Sequence, residues 1–475
     1  MPDYAYERLS AQDNSFLLGE TPSAHMHIAG AQIFELGLLR TEEGGVDFAK
    51  VRLATESVLH RIPRYRQKLA WIPFTQRPVW IDDPDFNLDY HFRHTALPQP
   101  GTVDQLRRLA GRIMAQPLDR ERPLWETWVI EGLEGDRFAL VSKLHHCMID
   151  GESGVDLAQV LLSITPEYEI QTPEPYYPRP APSGAELLRS EVSRRALLPV
   201  HIARGAASLF GEAEEVRDEL GQRLRAVGAM LGWSLKPSSG TPLNGEIGPH
   251  RRVDWLAHSL ADVKAVRREA GATVNDVVLT TVTGALDHYM RRRGVDPASL
   301  EFRVSAPVSV RQDEDRGKFG NRVSSWIVRL PLDQPDPLSR LAAIHETTSD
   351  LKASNQALGV DTIMQVAEWT PPVLLSLGAQ ASAGPINSIV TNVPGPQFPL
   401  YLLGARLLEM FPIPPLLPEM GLAIGLFSYD GRVFWGLNAD YERVPDLENL
   451  RDFIDQAFRE FADAVGVKVE TAVTT

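Results

Sequence analysis

The order of apolar and polar positions in the first third of the chain predicts strands and helices in turn. Residues 27–34 and 136–146 are predicted to be strands, and residues 47–62 an amphipathic helix that ends before Pro63. Residues 153–164 have apolar side chains at helical spacing and predict a further helix. Strands that alternate with helices are typical of an α/β domain with a layered core.

The same alternation returns after residue 250. Helices are predicted at residues 261–270, 274–292 and 447–465, and strands at residues 301–310, 323–330, 421–429 and 433–439. The last two strands flank Asp430-Gly431, a dipeptide typical of a tight hairpin turn. The sequence therefore predicts a second α/β domain.

The stretch between the two patterns has a different composition. Six prolines lie between residues 166 and 182, which predicts an extended, exposed segment. Helical, charge-rich sequence follows at 185–233, and a Pro/Gly/Ser stretch at 236–249. We therefore expect an N-terminal domain at 1–164, a connector with one or two helices at 165–249, and a C-terminal domain at 250–475, which suits a chain of 475 residues.

Charge and cysteine content restrict the possible partners. A net charge of −14 argues against a nucleic-acid partner, because phosphate binding needs surplus Lys and Arg. Cys147 is the only cysteine, which excludes a disulfide framework and indicates a reducing compartment. Without a secretory pattern or an apolar run of about 18 residues, we expect a cytoplasmic protein or one attached peripherally to a membrane. The apolar, proline-rich residues 411–417 favour a rigid loop packed on a core over a membrane contact.

The segment at 145–151, His145-His146-Cys147-Met148-Ile149-Asp150-Gly151, concentrates the candidate chemistry. Strand alternation points His145 and His146 in opposite directions, and His146, at the strand end, is placed to leave the strand for an active site. Asp150 could fix the following loop by accepting hydrogen bonds or by pairing with an Arg. Gly151 can adopt backbone angles closed to other residues, and it leaves space for a substrate.

Four interpretations of this segment compete. Adjacent strand histidines diverge, and no second cluster of ligands lies nearby in sequence, so a metal site is disfavoured. Nucleophilic catalysis by Cys147 would need a lowered thiol pKa and a geometry in which neighbouring side chains meet. A purely structural pair of histidines is the third interpretation. The fourth, which we favour, is that His146 acts as a general base.

The HHxxxDG pattern resembles the signature of the CoA-dependent acyltransferase superfamily, which includes chloramphenicol acetyltransferases and peptide-synthetase condensation domains. Further segments, in their order and spacing, look like the bacterial wax ester synthase/diacylglycerol acyltransferase family: Met26-His27-Ile28-Ala29-Gly30, Pro123-Leu124-Trp125, Val274-Asn275-Asp276, Phe319-Gly320-Asn321 and Asn392-Val393-Pro394-Gly395-Pro396. This resemblance covers residues from about 8 to 465. One departure is His25, which stands where the family usually has proline and could alter the lining of a substrate pocket.

The resemblance implies an α/β fold of two chloramphenicol-acetyltransferase-like domains, with mixed sheets flanked by helices and an active-site tunnel at their interface. It implies acyl-CoA as co-substrate, with no permanently bound cofactor and no metal. Diacylglycerol or a long-chain alcohol would be the acceptor, at a membrane or lipid-droplet surface. Two alternatives stay open: a condensation-type or other CoA-dependent enzyme with a different acceptor, and a non-catalytic lipid-binding relative.

Each candidate residue then has an expected role. His146 would take the proton of the acceptor hydroxyl and return it to the CoA thiolate, while His145 supports it from the opposite strand face. Asn275, in the first turn of a helix, is either an oxyanion donor or a structural amide. Asp276 is favoured as the capping-box partner of Thr273 over a catalytic role.

Overall fold

Two six-stranded mixed sheets and one three-stranded sheet form the framework of the protein in a computed structural model. The structure describes residues 6–75, 77–148, 160–196, 238–309, 323–353 and 386–473. The strands and helices of the N-terminal half are β1 (Tyr6–Arg8), α1 (Ala11–Leu18), β2 (His27–Glu35), α2 (Phe48–Val58), β3 (Gln67–Ile72), β4 (Arg77–Asp82), β5 (Phe92–Ala96), α3 (Val103–Ala115), β6 (Trp125–Leu133) and β7 (Arg137–His145). Helix α4 (Gly184–Ala196) follows them.

The C-terminal half has the same kinds of element. They are β8 (Arg251–Ser259), α5 (Leu260–Glu269), α6 (Val274–Arg292), β9 (Phe302–Ser309), β10 (Val323–Leu330), α7 (Pro337–Ala353), β11 (Ser388–Pro394), β12 (Tyr401–Leu402), β13 (Ala405–Ile413), β14 (Leu422–Tyr429), β15 (Arg432–Asp440) and α8 (Leu447–Ala464). The predicted α/β class with two sheet-containing domains is confirmed. Among the described helices, none is long and apolar enough to cross a membrane.

Most predicted elements are present, with differences at their ends. The helix predicted at 47–62 ends at Val58, and short 3-10 turns continue the chain to Arg66. Of the helix predicted at 153–164, residues 153–159 lie outside the described residues; 160 and 161 are helical, and Ser163 already forms a β-bridge with Tyr401. Residues 165–183 form no helix or strand, as the prolines predict, and residues 197–237 of the expected connector lie outside the description.

Two strands of the C-terminal half, β12 and β13, belong to the N-terminal sheet. The order of that sheet is β12-β13-β2-β7-β6-β5, and β13 pairs antiparallel with β2 from Leu407 opposite Phe34 to Ile413 opposite Ala29. A domain boundary at residue 249 assigns β12 and β13 to the C-terminal domain, whereas in the structure they belong to the sheet of the N-terminal domain. The prediction of a loop at 411–417 was wrong for Phe411 to Ile413, which are the end of β13, whereas the expected packing on a core is confirmed by the burial of Phe411, Ile413 and Leu416.

Contacts between the two six-stranded sheets hold them against each other. The β15 backbone at Gly436 passes so close to Pro412 that a Cβ at Gly436 would lie 1.6 Å from the Pro412 carbonyl oxygen. Arg107 of α3 pairs with Asp254 of β8 at 3.0 Å, and Trp255 stacks on Phe411 with ring centroids 4.9 Å apart. The two six-stranded sheets therefore share a buried interface.

Candidate active site

The strand β7 ends at His145, and a 3-10 turn (His146–Met148) carries the chain away from the sheet. His145 lies opposite His27 in the β2–β7 ladder. The His146 N–H donates to the Met26 carbonyl at 2.8 Å, and its ring packs on Phe16 of α1 with centroids 4.0 Å apart. His146 is thus the first residue after the end of β7, at the point where the chain leaves the sheet.

The imidazole of His146 is partly buried and electrically neutral. Burial lowers its pKa from 6.5 to about 4, so the ring is unprotonated at neutral pH. Its Nδ1 is buried and makes no hydrogen bond to another described residue. A neutral imidazole with an unused nitrogen has the chemistry of a proton acceptor.

The ring of His145 is held by two hydrogen bonds. The Cys147 N–H donates to its Nδ1 at 3.1 Å, so the proton of the neutral ring must lie on Nε2. This Nε2 is 3.1 Å from the Glu20 carboxylate, to which it donates. His145 is buried at 2% exposure, and it joins the 3-10 turn to the segment that follows α1. Both ring nitrogens of His145 therefore have hydrogen-bond partners.

The Glu20 carboxylate connects both histidines, a link that the sequence does not reveal. It accepts the Met26 N–H at 2.7 Å and pairs with Arg120, so Glu20 binds the same residue, Met26, whose carbonyl accepts the His146 N–H. Burial alone would raise the pKa of Glu20, but its hydrogen bonds to His145, Arg120 and Met26 outweigh burial and lower it to about 2. Glu20 lies 125 positions before His145, and no spacing pattern joins residues so far apart.

Cys147 does not have the character of a nucleophile. Its side chain is 1% exposed, and burial raises the pKa of the thiol well above 9.0. A buried neutral thiol is a poor nucleophile and packs like a small apolar residue. Among the described residues, no group of three or more His, Cys, Asp or Glu side chains is arranged to hold a metal ion.

Asn275 lies in the first turn of α6, which begins with a complete capping box. The Thr273 hydroxyl accepts the Asp276 N–H at 3.1 Å, and the Asp276 carboxylate accepts the Thr273 N–H at 3.0 Å. This confirms the predicted capping contacts of Asp276, which also accepts from Thr348 and His345 of α7. Burial raises the pKa of Asp276, but these hydrogen bonds dominate and lower it.

The side chain of Asn275 makes one hydrogen bond in the described structure. Its Oδ1 accepts from Asn392 Nδ2 at 3.2 Å, which leaves the Asn275 Nδ2 donors unused. The composition of Asn392 to Pro396 is typical of a tight turn, but Asn392 to Pro394 are the end of β11 and pair in parallel with β14. No described hydrogen bond joins this asparagine pair directly to the histidine network.

Of the remaining candidate residues, Trp125 packs in the core, and the others lie outside the described residues. Trp125 is 2% exposed, donates its indole N–H to the Tyr65 carbonyl at 2.8 Å and stacks on His91, so its role is packing. Asp150, Gly151 and the 319–321 segment lie outside the described residues.

A cavity of about 370 Å³ lies beside His145. Its polar lining residues are Glu20, Thr21, His25, His27, Arg120 and His145. Ala24, in the same segment as the lining residues Thr21 and His25, packs against Leu416 and Ala423 of the C-terminal half. The histidine network therefore lies close to the contact between the halves.

Comparison with known proteins places the chain among the CoA-dependent acyltransferases. Residues 9–278 match the family described as the wax ester synthase/diacylglycerol acyltransferase catalytic domain, and residues 319–462 match its C-terminal domain. A Mycobacterium tuberculosis H37Rv protein named "Probable diacyglycerol O-acyltransferase tgs1" is 32% identical over 461 residues, 94% of each chain. The chain belongs to the wax ester synthase/diacylglycerol acyltransferase family and is an acyl-CoA-dependent acyltransferase.

Solved structures agree with this placement. The wax ester synthase/diacylglycerol acyltransferase from Marinobacter aquaeolei VT8 has a TM-score of 0.67 at 26% identity, covering 97% of this chain and all of the other. The starter condensation domain of rhizomide synthetase has a TM-score of 0.58 at 15% identity over 98% of this chain and 97% of its own. The second likeness shows the fold alone.

Proposed function

We propose that the protein transfers a long-chain acyl group from acyl-CoA to diacylglycerol or a fatty alcohol, giving triacylglycerol or wax ester, with His146 as general base. The observation that carries the proposal is the neutral His146 imidazole, held at a strand end in a chain of this family. The names of the similar proteins, diacylglycerol acyltransferase and wax ester synthase, support these two acceptors.

The proposed reaction is a direct transfer. As the acceptor oxygen attacks the thioester carbonyl, its proton passes to His146 and a tetrahedral intermediate forms. When the intermediate collapses, the C–S bond breaks and the imidazolium returns the proton to the CoA thiolate. Atoms and charges balance without a covalent enzyme intermediate.

The other residues position the base or stabilise charge. The unused Nδ2 of Asn275 is our candidate donor to the oxyanion, a contact worth about 3 to 4 kcal/mol of barrier when well placed. We assign His145 and Glu20 as positioning residues. His145 accepts the Cys147 N–H directly after His146, and Glu20 accepts the N–H of Met26, whose carbonyl accepts the His146 N–H. The loop-shaping roles of Asp150 and Gly151, and a tunnel between the halves with His146 midway, stay predictions.

A thiol-release assay with purified protein and palmitoyl-CoA tests the proposed function. Hexadecanol, dioleoylglycerol and a short alcohol would be compared as acceptors, and the ester product identified. We expect CoA release and ester formation with one or both lipid acceptors. Release with none of them would reject the proposal and favour either the condensation-type alternative or the non-catalytic lipid-binding one.

We also propose that the protein works at a lipid surface through the turn between β3 and β4. Phe74 in this turn is 93% exposed and has a φ of 64°, an unfavourable angle for an aromatic residue, while Trp71 beside it is 43% exposed. Exposed aromatic side chains on a projecting turn suit the interface between lipid and water. Pro73 lies against Gly184, so the turn is supported by α4.

Vesicle flotation tests this lipid contact. With phosphatidylcholine/phosphatidylglycerol vesicles, we expect Phe74→Ser to lower the bound fraction several-fold. Tyr441→Ser, which removes an aromatic ring 46% exposed elsewhere, is the control and should not lower it. Equal binding of Phe74→Ser and the unmodified protein would contradict a role for this turn.

A further inference from the structure

The aromatic ring of Phe16 covers one face of the proposed base. Its centroid lies 4.0 Å from the centroid of the His146 ring, and the planes of the two rings differ by 32°. At this short distance and small angle the two rings face each other, and neither ring meets the other edge-on. The imidazole of His146 therefore lies over the π face of a phenyl ring.

Helix α1 sets the position of Phe16. The Ser10 hydroxyl accepts the Asp13 N–H at 3.0 Å and caps the first turn of the helix. Leu17, the residue after Phe16, is 5% exposed and packs in the core of the N-terminal half. Directly after the helix, the Glu20 carboxylate is hydrogen-bonded to the end of β7. Contacts at both ends of α1 thus hold the Phe16 ring against the turn that follows β7.

The proposed reaction puts a positive charge on His146 while the ring holds the proton of the acceptor. Burial lowers the pKa of His146 to about 4, which means that the folded protein disfavours the charged ring. In catalytic triads, a carboxylate hydrogen-bonded to the histidine stabilises the imidazolium. Within the described residues no carboxylate bonds the His146 ring, and Glu20 bonds His145 instead. The charge on His146 therefore needs another source of stabilisation.

The face of the Phe16 ring can supply it. The face of an aromatic ring carries partial negative charge, and it attracts a cation within about 6 Å of the ring centroid, most strongly where water is excluded. The His146 ring lies well inside this limit, and its Nδ1 is buried. A neutral imidazole gains much less from the contact than an imidazolium does. The contact therefore becomes stronger as the proton arrives, which is the condition for an interaction that raises the rate.

We propose that Phe16 stabilises the imidazolium form of His146 during acyl transfer, through the face of its aromatic ring. The inference rests on the proposed function, because it requires His146 to take the proton of the acceptor. Phe16 acts through His146 and is therefore a positioning residue. Its effect on the rate should depend on the electron density of the ring and not on the size of the side chain.

Fluorinated phenylalanines at position 16 test this dependence, because fluorine withdraws electrons from the ring face and changes the shape of the ring little. With the full chain, palmitoyl-CoA and either hexadecanol or dioleoylglycerol, we expect the single-turnover rate of ester formation to fall stepwise with one, two and three fluorine atoms. The unfolding temperature should stay unchanged across this series. Phe16→Leu, which removes the ring, should lower the rate about 5- to 30-fold, the size expected for a cation–π contact shielded from water.

A second stack of phenylalanine on histidine provides the control. Phe48 lies on His94 with ring centroids 4.6 Å apart and planes within 5° of each other. His94 belongs to β5, whereas the proposed base follows β7. The same fluorinated residues at position 48, and the variant Phe48→Leu, should leave the single-turnover rate unchanged.

The outcomes separate this inference from the proposed function. Ester formation at one rate throughout the fluorinated series, or an equal fall at positions 16 and 48, would reject the role of Phe16 and leave the acyltransferase proposal standing. No ester formation by the unmodified protein with either acceptor would reject the proposed function itself. If Phe16→Leu failed to fold, the fluorinated series would decide alone, since a stepwise fall supports the inference and equal rates reject it.

Discussion

The His146 side chain is a weak base because it is buried. Its pKa is about 4 in the free protein, and the pH dependence of kcat/KM reports the pKa of a general base in the free enzyme. The base must be unprotonated, so we expect kcat/KM for palmitoyl-CoA to stay flat from pH 8 down to pH 5. Loss of rate should begin only as the pH approaches 4. A rate that falls to one half near pH 6.5, the ordinary histidine value, would contradict this account.

Glu20 acts on the reaction only through its neighbours. Glu20→Ala removes the acceptor of the His145 Nε2–H and of the Met26 N–H, so we expect kcat to fall about 10- to 100-fold with KM for palmitoyl-CoA little changed. Glu20→Gln keeps an acceptor oxygen and should recover part of the rate. Steady-state kinetics below the unfolding temperature of each variant measure this.

A buried glutamate elsewhere provides the control for that prediction. Glu191 is 1% exposed and pairs with Arg8 and Arg194, away from the histidines. Glu191→Gln should lower stability but not kcat. If Glu20→Ala lost stability alone, Glu20 would be a structural residue and not a positioning one.

The sequence predicts the two histidines but not their surroundings. Strand alternation separates His145 from His146 because the predicted strand at 136–146 ends on both residues; in the structure β7 ends at His145, and His146 is the first residue of the 3-10 turn. Phe16 and Glu20 reach the same turn from the segment around α1, and their contacts depend on tertiary packing that has no periodic signal.

At the scale of elements, the capping box of α6 holds the turn that carries Asn275. Thr273→Ala removes one capping hydrogen bond and should cost about 1 kcal/mol of stability. Because Asn275 lies within that first turn, we also expect kcat to fall. Thr102→Ala, in the capping box of α3, is the matched control and should lower stability by a similar amount with kcat unchanged. Chemical denaturation and thiol release measure the two effects, and equal kcat losses in both variants would contradict the link to Asn275.

Elements with strong local signals were predicted well, and those defined by their neighbours were not. The capping box and apolar spacing predict α6 at residues 274–292, and the structure has the same bounds. In contrast, β13 contains Pro412, which argues against a strand in the middle of a sheet. The structure accommodates Pro412 because β12 pairs only with Arg406 and Ala405. On the side of β13 opposite to β2, no strand of the sheet therefore lies beside Pro412. Sequence alone does not show where a neighbouring strand ends.

At the scale of the whole molecule, the passage of β13 over the C-terminal sheet depends on a glycine pair. Gly425 of β14 and Gly436 of β15 lie opposite each other and both face Pro412. Gly436→Ala would place a Cβ within 1.6 Å of a backbone oxygen, so we expect a loss of about 3 kcal/mol or more in the free energy of unfolding. Gly240→Ala, where a Cβ would meet nothing within 4 Å, is the control. Equal stability of the two variants in denaturant would show that the halves do not pack in this way.

The division into two α/β halves could be predicted from periodicity, whereas their connection could not. The proline-rich composition at 165–183 correctly indicates a segment without helix or strand. Residues 401–413 return to the N-terminal sheet through the pairing of β13 with β2. Because these strands lie far apart in the sequence, no local sequence pattern indicates that they pair.

The most direct test of the central claim is the rate of ester formation by His146→Ala. With palmitoyl-CoA and either lipid acceptor, the account predicts a fall in kcat of at least about 10²-fold, with an unchanged unfolding temperature. His288→Ala, a change at a histidine paired with Glu460, should retain the rate of the unmodified protein. Ester formation by His146→Ala at the unmodified rate would contradict the assignment of His146 as the general base.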